Sequence, residues 1–110
     1  MNELQSFSEQ LVRLNATMKE LFEGGNLALF TEMNGAIKEM ARIQSGSKEP
    51  ALQAISSDCE VIYGNFNMII AVLRTTENGV IDKGAQTALN KFLHNIDEAV
   101  VAIASAFGLV

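Results

Sequence analysis

Residues 50–76 read PALQAISSDCEVIYGNFNMIIAVLRTT. Leu52, Ile55, Cys59, Ile62, Phe66, Ile69 and Leu73 recur in it at alternating steps of three and four. This is a heptad stripe, with apolar residues at the a and d positions on one side of a helix. A helix from Pro50 to Thr76 would be about 40 Å long at 1.5 Å per residue. Pro50 suits its first turn, where a missing N–H costs nothing. Asn78-Gly79 suits the far end, where a residue with positive φ can close the helix.

The same stretch is apolar outside its stripe. Tyr63 and Ile70 fall at e, Val72 at g, and Val61 and Met68 at c. A helix that packs one side and wets the other should carry charge at c. Two readings are open. Either this helix is the centre of a bundle and is covered by several neighbours, or Val61 and Met68, a heptad apart, belong with Tyr63 and Ile70 to a second contact face.

Working outward, the spacing predicts a first helix over Asn2–Glu23 with the stripe Leu4, Phe7, Leu11, Leu14, Met18 and Leu21. Its e and g positions are mostly polar, as expected of a peripheral helix. Gly24-Gly25 should stop it, and Asn26 can cap the next. The second helix is expected over Leu27–Gln44, with Phe30, Met33, Ile37 and Met40 on its stripe. Gly35 inside it costs about 1 kcal/mol against alanine, which close packing on a neighbour would explain. Ser45 to Glu49 is a short break of the kind found within bundles. After Glu77 to Gly84, where Val80-Ile81 can cover a bundle end and Asp82 can cap, a fourth helix is expected over Lys83–Phe107. Its stripe is Ala85, Leu89, Phe92, Ile96, Ala99, Ile103 and Ala106, widened by Leu93, Val100 and Phe107.

Composition narrows the classes. A chain of 110 residues suits one domain, residues 1–110, with a single core. Hydrophobic residues make up 48% and charged residues 19%, a globular balance. The net charge of −5, with only eight Lys and Arg, lacks the footprint of a nucleic-acid binder and disfavours anionic membrane surfaces. The longest strongly apolar run, Ala99 to Val110, falls short of the roughly 18 residues a membrane helix needs. Met1 to Ser8 is polar and acidic, without the basic-then-apolar pattern of a signal. Cys59 is alone and sits on the apolar stripe, which reads as a buried small hydrophobe in a reducing cytoplasm.

Chemistry is thinly represented. No Asp or Glu occupies an a or d position, so no buried acid is offered for general acid catalysis. Serine-nucleophile motifs, phosphate loops and cysteine pairs are absent. His94, the one histidine, falls at the outermost f position of the fourth helix. An exposed histidine on a helical bundle invites a phosphotransfer reading. The residues that follow, Asn95-Ile96-Asp97-Glu98, put two carboxylates within a turn, and these would repel a phosphoryl group. His94 with Glu98 is also too small a set to hold a metal.

The expectation is an all-α chain, folded as a four-helix antiparallel up-down-up-down bundle with heptad packing and with the third and fourth helices longest. The length mismatch suggests that those two helices project and pair with a second copy. The functional expectation is a small, acidic, non-enzymatic protein–protein interaction module of adaptor, chaperone or immunity type. It would be cytoplasmic, with no cofactor and no metal. It would bind a protein partner, or itself as a homodimer, through Val61, Tyr63, Met68 and Ile70. Two alternatives stand beside it: phosphotransfer through His94, and a carrier of a small apolar ligand walled by Phe30, Phe66, Phe92 and Phe107.

Overall fold

The computed structural model describes residues 2–23, 28–75 and 82–108, and among these there is no strand. Helix α1 spans Glu3–Phe22, α2 Ala28–Gly46, α3 Pro50–Ala54, α4 Ser56–Arg74 and α5 Lys83–Ala106. Asn2, in extended conformation, starts α1 by accepting a hydrogen bond from the Gln5 N–H at 2.7 Å. Asp82 starts α5 as its sequence position predicts, accepting from the Ala85 N–H at 2.7 Å. Past α5, Gly108 takes φ of 72°, the left-handed conformation that glycine adopts without a Cβ clash. The readings made for Gly24 to Leu27, Thr76 to Ile81 and Leu109-Val110 lie outside the described residues.

The expected third helix is divided. Ile55 leaves helical geometry at φ −101° and ψ 13°, so α3 and α4 meet at a corner. Ser56, Ser57 and Asp58 follow it, residue types that favour the start of a helix over its interior. The corner is also clamped by side chains. Gln44 Nε2 donates to the Leu52 carbonyl at 3.2 Å, filling an acceptor that a helix end leaves open. Gln53 Nε2 donates to the Ser47 carbonyl at 3.0 Å. Ile55 itself stays in the core, so the apolar spacing runs through the corner without a mark. The division also corrects the expected lengths. At 24 residues α5 is the longest described helix, but α4 has 19 against 20 for α1.

The core follows the stripes closely. Phe7, Leu11, Leu14 and Met18 of α1 are buried, as are Phe30, Met33, Ile37 and Met40 of α2. Leu52, Ile55, Cys59, Ile62, Phe66 and Ile69 are buried across α3 and α4. On α5 the buried line is rotated from the expected one. Leu93, Val100 and Ala104 are buried, Phe92 is half-buried and Ala106 is exposed. The reason is that α5 covers two neighbours: Ala99 and Asn95 face α4, while Val100, Ala104 and Phe107 face α1.

Packing is closest between α1 and α2 and between α4 and α5; α1 meets α5, and α2 meets α4, more sparsely. Arg13 reaches Glu32 across the first pair at 2.8 Å. Its guanidinium lies over Gly35, where a Cβ would stand 3.0 Å from Nη2, so this glycine marks a close approach as its position in the helix suggests. Asn95 donates to Asn65 across the second pair at 3.0 Å. Between the pairs, Phe7 meets Phe107 edge-on at 6.0 Å, and the Tyr63 hydroxyl donates to Gln44 Oε1 at 2.9 Å. The buried Ser47 ties the α2–α3 connection to α1, since its hydroxyl donates to the Glu3 carboxylate and accepts from the Glu49 N–H. The whole measures 43 × 25 × 22 Å. Among the described residues no helix is long and apolar enough to cross a membrane.

Candidate partner-binding surfaces

A helix that packs along one seam turns its c and f positions outward, and on α4 those positions carry almost no charge. Val61 is 42% exposed and Met68 51%, so neither belongs to the core. Ser57, Gly64 and Ala71 are exposed at the intervening heptad steps, which completes a second stripe of Ser57, Val61, Gly64, Met68 and Ala71. The space over Gly64 is open, with nothing within 4 Å of where a Cβ would be. Alongside it on α5, Glu98 and Ala99 border the shallow hollow shared with Asp58, Val61 and Asn65 of α4, and Ala102 is exposed one turn beyond Glu98.

Tyr63 and Ile70 are on a different face. Both are half-buried and line the groove between α4 and α2. The four residues grouped from the sequence thus divide into two pairs, Val61 with Met68 outside and Tyr63 with Ile70 at the groove. The e and c positions of one helix stand well apart around its axis, so one flat partner cannot cover both equally.

Tyr63 is held by more than packing. Its hydroxyl bonds Gln44, and the thiol of Cys59 lies one turn before it. Burial pushes the Tyr63 phenol well above its ordinary range, and the neighbouring thiol adds to the effect. Burial likewise raises the Cys59 thiol, opposed in part by hydrogen bonding to Tyr63 and Gln44. Both groups are therefore protonated at neutral pH, and Cys59 is a packed thiol with little thiolate character.

His94 is exposed, and its ring stacks on Phe22 of α1 at 4.9 Å with a tilt of 31°. One face of the imidazole is thus occupied by an aromatic ring, and Asp97 and Glu98 follow within a turn. Of the four phenylalanines considered as walls of a ligand site, Phe30 and Phe66 meet in the α2–α4 groove, whereas Phe92 and Phe107 are not part of it. Among the described residues, no three of His, Cys, Asp and Glu gather into a group that could hold a metal.

A further apolar area went unread in the sequence. Val12 is 59% exposed and Val101 50%, and both border the hollow between α1 and α5 with Lys19 and Asp97. The signal was available: Val12 sits at b and Val101 at f, outward positions where a soluble helix ordinarily carries polar side chains. Comparison of the chain with models of protein families, with curated proteins and with solved structures gives no match.

Proposed function

We propose that this chain is a non-enzymatic helical interaction module that self-associates as a homodimer through the outer face of α4. The observation that carries the reading is the stripe from Ser57 to Ala71, which exposes Val61 and Met68 and holds no charged side chain in a chain of net charge −5. An acidic protein that keeps charge off this stripe, with Asp58, Glu60 and Glu98 only at its margin, keeps the stripe suited to contact with an apolar surface. Gly64 and Ala71 would let the backbones approach.

The arrangement that goes with this reading is a four-helix antiparallel up-down-up-down bundle, with α3 as a corner turn leading into α4. Contacts support it. Residue 7 meets 107 while 22 meets 94, and 13 meets 32 while 3 meets 47, the reciprocal order expected of oppositely directed neighbours. In that arrangement α4 has its outer face free for a partner.

The size of the face sets the strength. From Ser57 to Ala71 is about 21 Å at 1.5 Å per residue, and a helix is about 10–12 Å across, giving on the order of 230 Å². A standard interface buries about 800 Å² per partner. Even if Ala102 and its neighbours on α5 double the area, the contact stays at the low end, so the dimer is weak and concentration-dependent. Two copies of net charge −5 also repel, so added salt strengthens the association.

The test is solution mass by size-exclusion chromatography with light scattering over a range of concentrations. The wild type should move from the 11.9 kDa monomer toward twice that mass. Val61→Glu and Met68→Glu should stay monomeric with unchanged helix content. If either variant unfolds, or if both dimerise like the wild type, the α4 face is not the contact.

A further inference from the structure

Helices α2 and α4 touch sparsely, and between them runs a groove of about 670 Å³. Its apolar lining comes from Phe30 and Ile37 of α2 and from Tyr63, Phe66, Ile70 and Leu73 of α4. Along its edges stand Thr31, Asn34 and Lys38 on one side, and Asn67 and Arg74 on the other. Among the described residues no carboxylate lines it, although acids outnumber bases by 13 to eight in the chain. The acids of α2 are turned elsewhere, with Glu32 paired to Arg13 and Glu39 to Arg42. Lys38 and Arg74 have no ion-pair partner among the described residues.

We propose that this groove binds a single-chain amphiphile with an anionic head, of the fatty-carboxylate kind. Charge complementarity selects the head. Among the described residues the two cations at the rim pair with no acid, and a guanidinium offers a carboxylate two parallel hydrogen bonds. Dimensions select the tail. The volume lies in the range of small-ligand sites, about 300–1,000 Å³. From Tyr63 to Arg74 the groove runs about 16 Å at 1.5 Å per residue, the length of a medium acyl chain. Arg74, the last residue of α4, marks the end at which the head sits. Tyr63, its hydroxyl engaged by Gln44, marks the end reached by the tail. A whole partner helix, about 10–12 Å across, is too thick to lie within this volume. The site is separate from the outer face of α4, so the two readings stand or fall independently.

The experiment is titration calorimetry with dodecanoate below its micelle concentration, with dodecanol as the uncharged probe of equal tail. The full-length chain should bind one dodecanoate saturably and dodecanol much more weakly. Arg74→Gln should weaken dodecanoate binding about tenfold, the scale of one lost charge-assisted hydrogen-bond pair, and Lys38→Gln should weaken it less. Asn67→Glu, which adds an anion at the exposed rim without touching the core, should abolish it. Met68→Glu should leave it unchanged. The proposal is overturned if the wild type shows no saturable binding, if dodecanol binds as tightly as dodecanoate, or if Asn67→Glu, folded by circular dichroism, binds as the wild type does. It is equally overturned if an acidic amphipathic helical peptide binds and dodecanoate does not.

Discussion

Gly64→Ala separates folding from association on the same residue. Gly64 lies in the middle of α4 with its face exposed and with nothing within 4 Å of an added Cβ. The methyl therefore meets no clash in the folded chain, and what remains is the helix propensity difference, about 1 kcal/mol in favour of alanine. For a domain of this size that is a rise in Tm of about 4–8 °C. The measurement is urea unfolding followed by far-ultraviolet circular dichroism, with the chain dilute enough to be monomeric, since a dimer adds stability by mass action. The midpoint should rise with an unchanged slope. The same substitution should weaken the proposed self-association, because it would fill the place where two α4 backbones come closest. Opposite signs for stability and association are the signature. A stability that is unchanged or lower would mean that the α4 face is covered in the free chain, and the reasoning about its outer stripe would fall with it.

Other predictions follow the same logic. Gly35→Ala should gain less than Gly64→Ala, between about 0 and 0.8 kcal/mol, because the methyl displaces the Arg13 guanidinium and forfeits a largely exposed pair; in an Arg13→Ala background the urea midpoint should recover the full gain. Ser47→Ala should cost about 1–2 kcal/mol by the same assay, because the Glu49 N–H and the Glu3 carboxylate both lose a buried partner. Cys59 and Tyr63 have raised pKa values in the folded chain, so their contribution is complete below the ordinary thiol range and is lost as pH rises through the raised values. Stability should therefore fall from about pH 8.5 upward, and Cys59→Ala, whatever its stability at neutral pH, should show a shallower fall.

The helical class and most of the core were legible in the sequence, for a physical reason. Apolar residues spaced by three and four can be buried together only on a helix, and Phe7, Leu11, Leu14, Met33, Met40, Ile62 and Ile69 all lie on such stripes. The cap at Asp82 and the close approach at Gly35 were legible too, because each rests on one residue's local chemistry. Exposure of Val61 and Met68 is not decided by the sequence, since periodicity tells which residues share a face and not whether a neighbour covers it. The corner at Ile55 left no trace in the stripe, because Leu52, Ile55 and Cys59 keep their spacing through it. What makes the corner visible is Gln44, eight residues before Leu52, which bonds across the α2–α3 connection. The rotation of the α5 core line required knowing that α5 covers both α1 and α4. The cationic rim of the α2–α4 groove required knowing that residues 38 and 74, distant in the chain, flank one space. Local spacing and capping thus came from the sequence alone. Which faces meet, which stay open and which charges stand together were decided by tertiary packing, because they depend on neighbours far along the chain.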